Sequence, residues 1–68
     1  MKCNDVRKFC DTSGIAYTLI RCGSSYLLVV SAAASPGVIK FLDTNGVHHS
    51  RPCSIVKDFQ DIYLTLDG

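Results

Sequence analysis

The stretch 43-DTNGVHHSRPC-53 holds two histidines, an arginine and a cysteine behind an Asn-Gly pair. Histidine and cysteine are common zinc ligands, and a thiol beside an imidazole is the start of a nucleophile. The spacing supports neither chemistry. Structural zinc sites supply converging ligands as close pairs, whereas Cys3, Cys10, Cys22 and Cys53 make no C-x-x-C. His48 and His49 are neighbours, so on a strand their side chains leave by opposite faces. A His49–Cys53 pair would have to recruit Cys3 or Cys22 from elsewhere in the chain. As a nucleophile, Cys53 would also need a base, an orienting group and an oxyanion hole. A helix beginning at Ser54 could lower its pKa, but so short a chain leaves little room for the rest. The reading is therefore no catalytic residue, no metal site and no cofactor. His48 and His49 are two partly exposed polar residues of an edge strand, and Cys53 packs near a helix start.

A second chemistry is base stacking. Tyr17, Tyr26, Phe41 and Tyr63 all fall on predicted strands, and exposed sheet aromatics can stack single-stranded bases. The basic residues that could assist are Arg7, Lys8, Arg21, Lys40 and Arg51. They are scattered, and the RNP1 pattern of a basic residue, glycine and alternating aromatics is absent. A small nucleic-acid-binding domain is thus the alternative reading.

The elements that must position these residues fit into one domain, residues 1–68. Hydrophobic residues make up 47% and charged residues 19% of the 68, with a net charge of +1. That composition is one of a folded chain and gives no electrostatic footprint for nucleic acid or an anionic membrane. The start, MKCNDVRKFC, lacks the apolar core of a secretory signal, and 26-YLLVVSAAA-34 is too short to span a membrane. The expectation is a cytoplasmic protein whose cysteines stay thiols. All six acids are aspartate, a bias without a physical account.

Asn4 and Asp5 suit a helix N-terminus, Val6, Phe9 and Cys10 form one apolar face, and Gly14 suits its end. The runs 15–22 and 26–33 flank Gly23-Ser24-Ser25 as a hairpin. Residues 38–43 and 47–50, joined through Asn45-Gly46, are predicted as a second hairpin. The competing reading makes Ser35-Pro36 a helix start and Gly46 its stop. Strand is preferred there because Val38 and Ile39 are β-formers. Pro52 ends the fourth strand, Ser54 caps a short helix over 54–61 with Ile55, Val56 and Phe59 on one face, and 62-IYLTL-66 alternates as a last strand. No internal repeat or linker is apparent. The fold class is α+β: a small antiparallel sheet of four to five strands, an N-terminal helix, and a second short helix before the last strand.

The most informative signal is an excess of apolar residues. A half-buried strand alternates apolar and polar side chains. The run 26–34 instead places Tyr26, Leu28, Val30 and Ala32 on one face and Leu27, Val29 and Ala33 on the other. Its neighbour is equally two-sided. The first helix covers one face, and the short helix over 54–61 is the available cover for the other, which would close a compact three-layer domain; if that helix lies elsewhere, the face left open marks an interaction surface. In size and composition the chain is similar to the small inhibitors encoded by phages and mobile elements, of the anti-CRISPR or anti-defence type. That similarity rests on no motif; it implies stoichiometric binding to a larger host complex. The functional expectation is a non-enzymatic protein-binding module. Its partner is another protein, or a second copy through a sheet face or edge, with no membrane involved. Tyr17, Arg21, Tyr26, His49 and Arg51 are the candidate contact residues.

Overall fold

The computed structural model describes residues 1–54 and 56–67. Along the chain run α1 (Cys3–Thr12), β1 (Tyr17–Cys22), β2 (Ser25–Ser31), α2 (Ser35–Thr44) and β3 (Phe59–Leu64). The strands form one antiparallel sheet in the order β1-β2-β3. Among the described residues no helix is long and apolar enough to cross a membrane.

Each helix buries residues spaced four apart, which a 3.6-residue turn places on one stripe. These are Val6 and Cys10 on α1, and Val38 and Leu42 on α2. They meet Leu28 and Val30 of β2 and Ile62 and Leu64 of β3, and Val47 completes the core. In the sheet register Leu19, Leu28 and Ile62 stand abreast, as do Arg21, Tyr26 and Leu64. That side of the sheet carries the helices. The intervening residues, in the rows Ile20–Leu27–Tyr63 and Thr18–Val29–Asp61, face the other way.

Several sequence expectations need correction. Residues 38–43 are helical, within α2. Pro36 in the first turn favours a helix start, and Val38 and Leu42 gain burial only with a helical period. The Asn-Gly signal closes this helix and does not turn a hairpin. Gly46 has φ 66°, its N–H bonds to the Asp43 carbonyl at 3.1 Å, and the Val47 N–H bonds back to Leu42 at 2.9 Å. This is the double bond pattern of a Schellman motif.

Consequently the sheet has three strands, fewer than the four or five expected. Residues 48–53 run beside β3 as two isolated bridges, His49–Leu64 and Cys53–Asp61, and not as a continuous strand. Four steps along this segment face three along β3, so it carries a bulge. There the Ser50 hydroxyl accepts the Tyr63 N–H at 3.0 Å. The short helix expected over 54–61 does not form as such. Phe59, Gln60 and Asp61 belong to β3, Lys57 and Asp58 turn into it with Asp58 at φ 68°, and Ile55 lies outside the described residues. At the N-terminus Lys2, not Asn4, is the capping position, and the Asp5 carboxylate accepts its N–H at 3.0 Å.

The chain also contains an internal repeat, which the sequence pattern alone did not lead us to expect. At an offset of 32 the pairs Val6/Val38, Lys8/Lys40, Phe9/Phe41, Asp11/Asp43, Thr12/Thr44 and Gly14/Gly46 are identical. α1 ends as α2 does: Gly14 has φ 68°, its N–H reaches Asp11, and the Ile15 N–H reaches Cys10. Equivalent residues also meet in space. Phe9 and Phe41 stack with ring centres 4.0 Å apart and planes 12° apart. Leu28 and Ile62, equivalent at an offset of 34, are direct partners between β2 and β3. β1 lies outside β2 as 48–53 lies outside β3. The order α1, β1, β2 thus recurs as α2, the bridged segment 48–53 and β3, and the two halves meet at these two pairs.

Candidate functional site

The histidine of the opening stretch has a defined structural role. His49 is half-buried beside the end of α2. Its Nε2 lies 2.6 Å from Asp43 Oδ1 and its Nδ1 lies 2.8 Å from the Ser50 carbonyl oxygen. Both neighbours accept, an arrangement that favours imidazolium, the form with two N–H groups to donate. The Asp43 carboxylate first, then the Ser50 carbonyl, raise the His49 pKa above its ordinary value, against the opposing effect of burial. This is a latch from α2 to the bulged edge.

Cys53 lies elsewhere. It exchanges both backbone bonds with Asp61, at 3.0 and 2.8 Å, so it does not sit at the first turn of a helix that could activate its thiol. Among the described residues, no three His, Cys, Asp or Glu side chains are grouped to hold a metal. All four cysteines are free: Cys22 and Cys53 exposed, Cys3 half-buried, Cys10 buried. Burial, with Asp11 nearby, pushes the Cys10 thiol up, which makes it the least reactive of the four.

Of the five predicted contact residues, three share one row across the sheet. Arg21 is opposite Tyr26, Tyr26 opposite Leu64, and Leu64 opposite His49. Tyr17 lies on the same helix-bearing side at the far end of β1. Tyr26 is half-buried there, and the Cys3 side chain beside it raises the phenol's pKa. Arg21 is exposed and donates from Nε to the Gly23 carbonyl at 3.3 Å. Arg51 is exposed in the bulge. The aromatics considered for stacking separate likewise: Phe41 belongs to α2, and only Tyr63 faces the helix-free side.

Two surfaces are large enough to receive something. One is an open cleft of about 580 Å³ between the helices, around the Phe9–Phe41 stack, with Met1, Asp5, Lys8 and Asn45 at its margin. Among the described residues, no buried side-chain nitrogen or oxygen lacks a partner. The other is the helix-free face of the sheet. Ile20 is 49% exposed, and Phe59 and Tyr63 are each 47% exposed. Leu27 and Val29 lie half-buried between them. Asp61 is the one charged strand residue on this face.

No known protein family, curated protein or solved structure matches the chain. The functional reading therefore rests on these surfaces alone. Phe59 escaped the sequence reading because it was placed on a helix. The alternation of Phe59, Asp61 and Tyr63 would have put it beside Tyr63.

Proposed function

We propose that this chain is a non-enzymatic protein-binding module that docks through the helix-free face of its sheet. One observation carries the reading: three large apolar side chains, Ile20, Phe59 and Tyr63, stand about half exposed on one surface. Burying such a side chain fully is worth about 1.5–3 kcal/mol, so covering the remaining half of three of them supplies several kcal/mol toward binding. A contiguous apolar patch on a small domain marks an interaction site more often than chance exposure does. Aromatic residues at its centre suit a binding hot spot. Asp61 on this face, and basic residues placed elsewhere, favour a protein partner over a phosphate backbone. The narrower form of the proposal is an intracellular inhibitor that acts by stoichiometric occlusion of a larger complex, without chemistry of its own.

The test compares the wild type with Ile20→Lys/Tyr63→Asp as baits in a lysate of the native cells. The expected result is a discrete protein retained at high salt and after nuclease treatment by the wild type, and lost by the folded double variant. Retention that the double variant preserves would sink the proposed face. Retention abolished by nuclease would transfer the reading to nucleic acid.

A further inference from the structure

In the repeat, β1 flanks β2 as 48–53 flanks β3, yet the two outer edges of the sheet are finished differently. The 48–53 edge is blunted. It carries a bulge, and Pro52 lacks an N–H. These are the usual protections of an exposed edge against further pairing. The β1 edge has none of them. Tyr17–Cys22 is regular along its whole length and contains no proline, no bulge and one charge, Arg21.

The turn decides which backbone groups are free. Gly23 and Ser24 form a two-residue loop, with φ 63° at Gly23 as a type II′ turn requires. Cys22 and Ser25 are then the first hydrogen-bonded pair, so Cys22, Ile20 and Thr18 bond inward to β2. The N–H and C=O groups of Tyr17, Leu19 and Arg21 point outward. Among the described residues, no backbone hydrogen bond outside the β1–β2 ladder reaches any residue of β1.

We propose that β1 pairs antiparallel with β1 of a second copy of this chain, with Leu19 on the dimer axis. In this register Leu19 faces Leu19 of the second copy, and Tyr17 faces Arg21 of the second copy. Pairing about Leu19 joins the outward-pointing residues, so each facing pair exchanges two backbone bonds. It also keeps both helix layers on the same side and makes one continuous sheet. No like charges meet, because the only charge on the strand stands opposite a tyrosine ring, a favourable cation–π partner. The two helix-free faces merge into one wider apolar surface. This inference concerns the edge and is independent of what docks on the face.

The experiment is sedimentation of the full chain, with amide exchange and NOE measurements at NMR concentrations. A dimer is expected, with the Tyr17, Leu19 and Arg21 amides protected as concentration rises. Tyr17 and Arg21 side chains should show an NOE, which their four-residue separation along one extended strand rules out within a single copy. Arg21→Pro deletes an outward N–H that the single copy does not use. It should weaken association roughly tenfold or more, from two hydrogen bonds lost by symmetry, while Arg21→Lys should retain it. Circular dichroism verifies the fold of the proline variant; should it unfold, wild-type exchange and the NOE decide. A chain that stays monomeric at NMR concentrations, or a dimer indifferent to Arg21→Pro, overturns the proposal. A monomer that still captures a protein through Tyr63 would do so while leaving the proposed function standing.

Discussion

At the scale of single residues, the His49–Asp43 contact ties pH to stability. The His49 pKa is raised in the folded chain, so folding favours the protonated ring. Its contribution is therefore complete below the unfolded value near 6.5 and is lost as pH rises through the higher folded value. The His49 side chain is 15% exposed and that of Asp43 64% exposed, so solvent screens the pair and the effect is modest, about 0.5–1 kcal/mol. Urea titrations of the wild type and His49→Gln should differ by that amount at pH 5.5 and converge by pH 9. Asp43→Asn should remove most of the difference. A gap that widens with pH would contradict the assignment of both ring nitrogens as donors. Residue type alone nominates Tyr17 and Tyr26 for binding, whereas side-chain parity on the strands places both on the helix-bearing side of the sheet.

At the scale of elements, the two helices end in the same way, and glycine is needed there for its backbone. Gly14 and Gly46 have φ near +67° and open space where a Cβ would project. Substitution by alanine therefore adds left-handed strain without a clash, about 1–2 kcal/mol. Gly14→Ala and Gly46→Ala should be destabilised by similar amounts in chemical denaturation. Gly37 lies inside α2 with an ordinary φ and open space, so Gly37→Ala should stabilise by about 0.4–1 kcal/mol. Opposite signs at Gly37 and Gly46 would identify 35–44 as a helix in solution; the hairpin reading of this segment predicts no gain at Gly37. The segment was ambiguous in sequence because β-branched Val38 and Ile39 sit between a proline helix start and a glycine stop. Propensity differences of a few tenths of a kcal/mol per residue were outweighed by the burial of Val38 and Leu42.

At the scale of the whole molecule, the core is made of matched pairs from the two repeats. Val6 and Val38, Cys10 and Leu42, Leu28 and Ile62, and Val30 and Leu64 are all nearly inaccessible. Leu28 and Ile62 lie where the repeats meet, so truncating either to alanine should cost about 2–5 kcal/mol, a large part of the stability of so small a domain. Ile20→Thr, on the helix-free face, should change stability by no more than about 0.5 kcal/mol. Thermal or urea unfolding of the isolated chain measures both. A cost at Ile20 equal to that at Leu28 would mean the face is already covered within one chain.

The sequence by itself determined the local grammar: an α+β chain, the β1–β2 hairpin, the glycine stop at Gly14, and a central strand apolar on both sides. Each depends on contacts within a few residues or on simple alternation, which a linear string records. Even the repeat is legible in it, as six identities at one offset, but it acquires meaning only where Phe9 meets Phe41 and Leu28 meets Ile62. Tertiary structure decided the rest: that 38–43 is a helix, that both helices lie on one face, and that Ile20, Phe59 and Tyr63 share the other. Alternation states that a strand has two sides, while which side is covered depends on where distant helices pack.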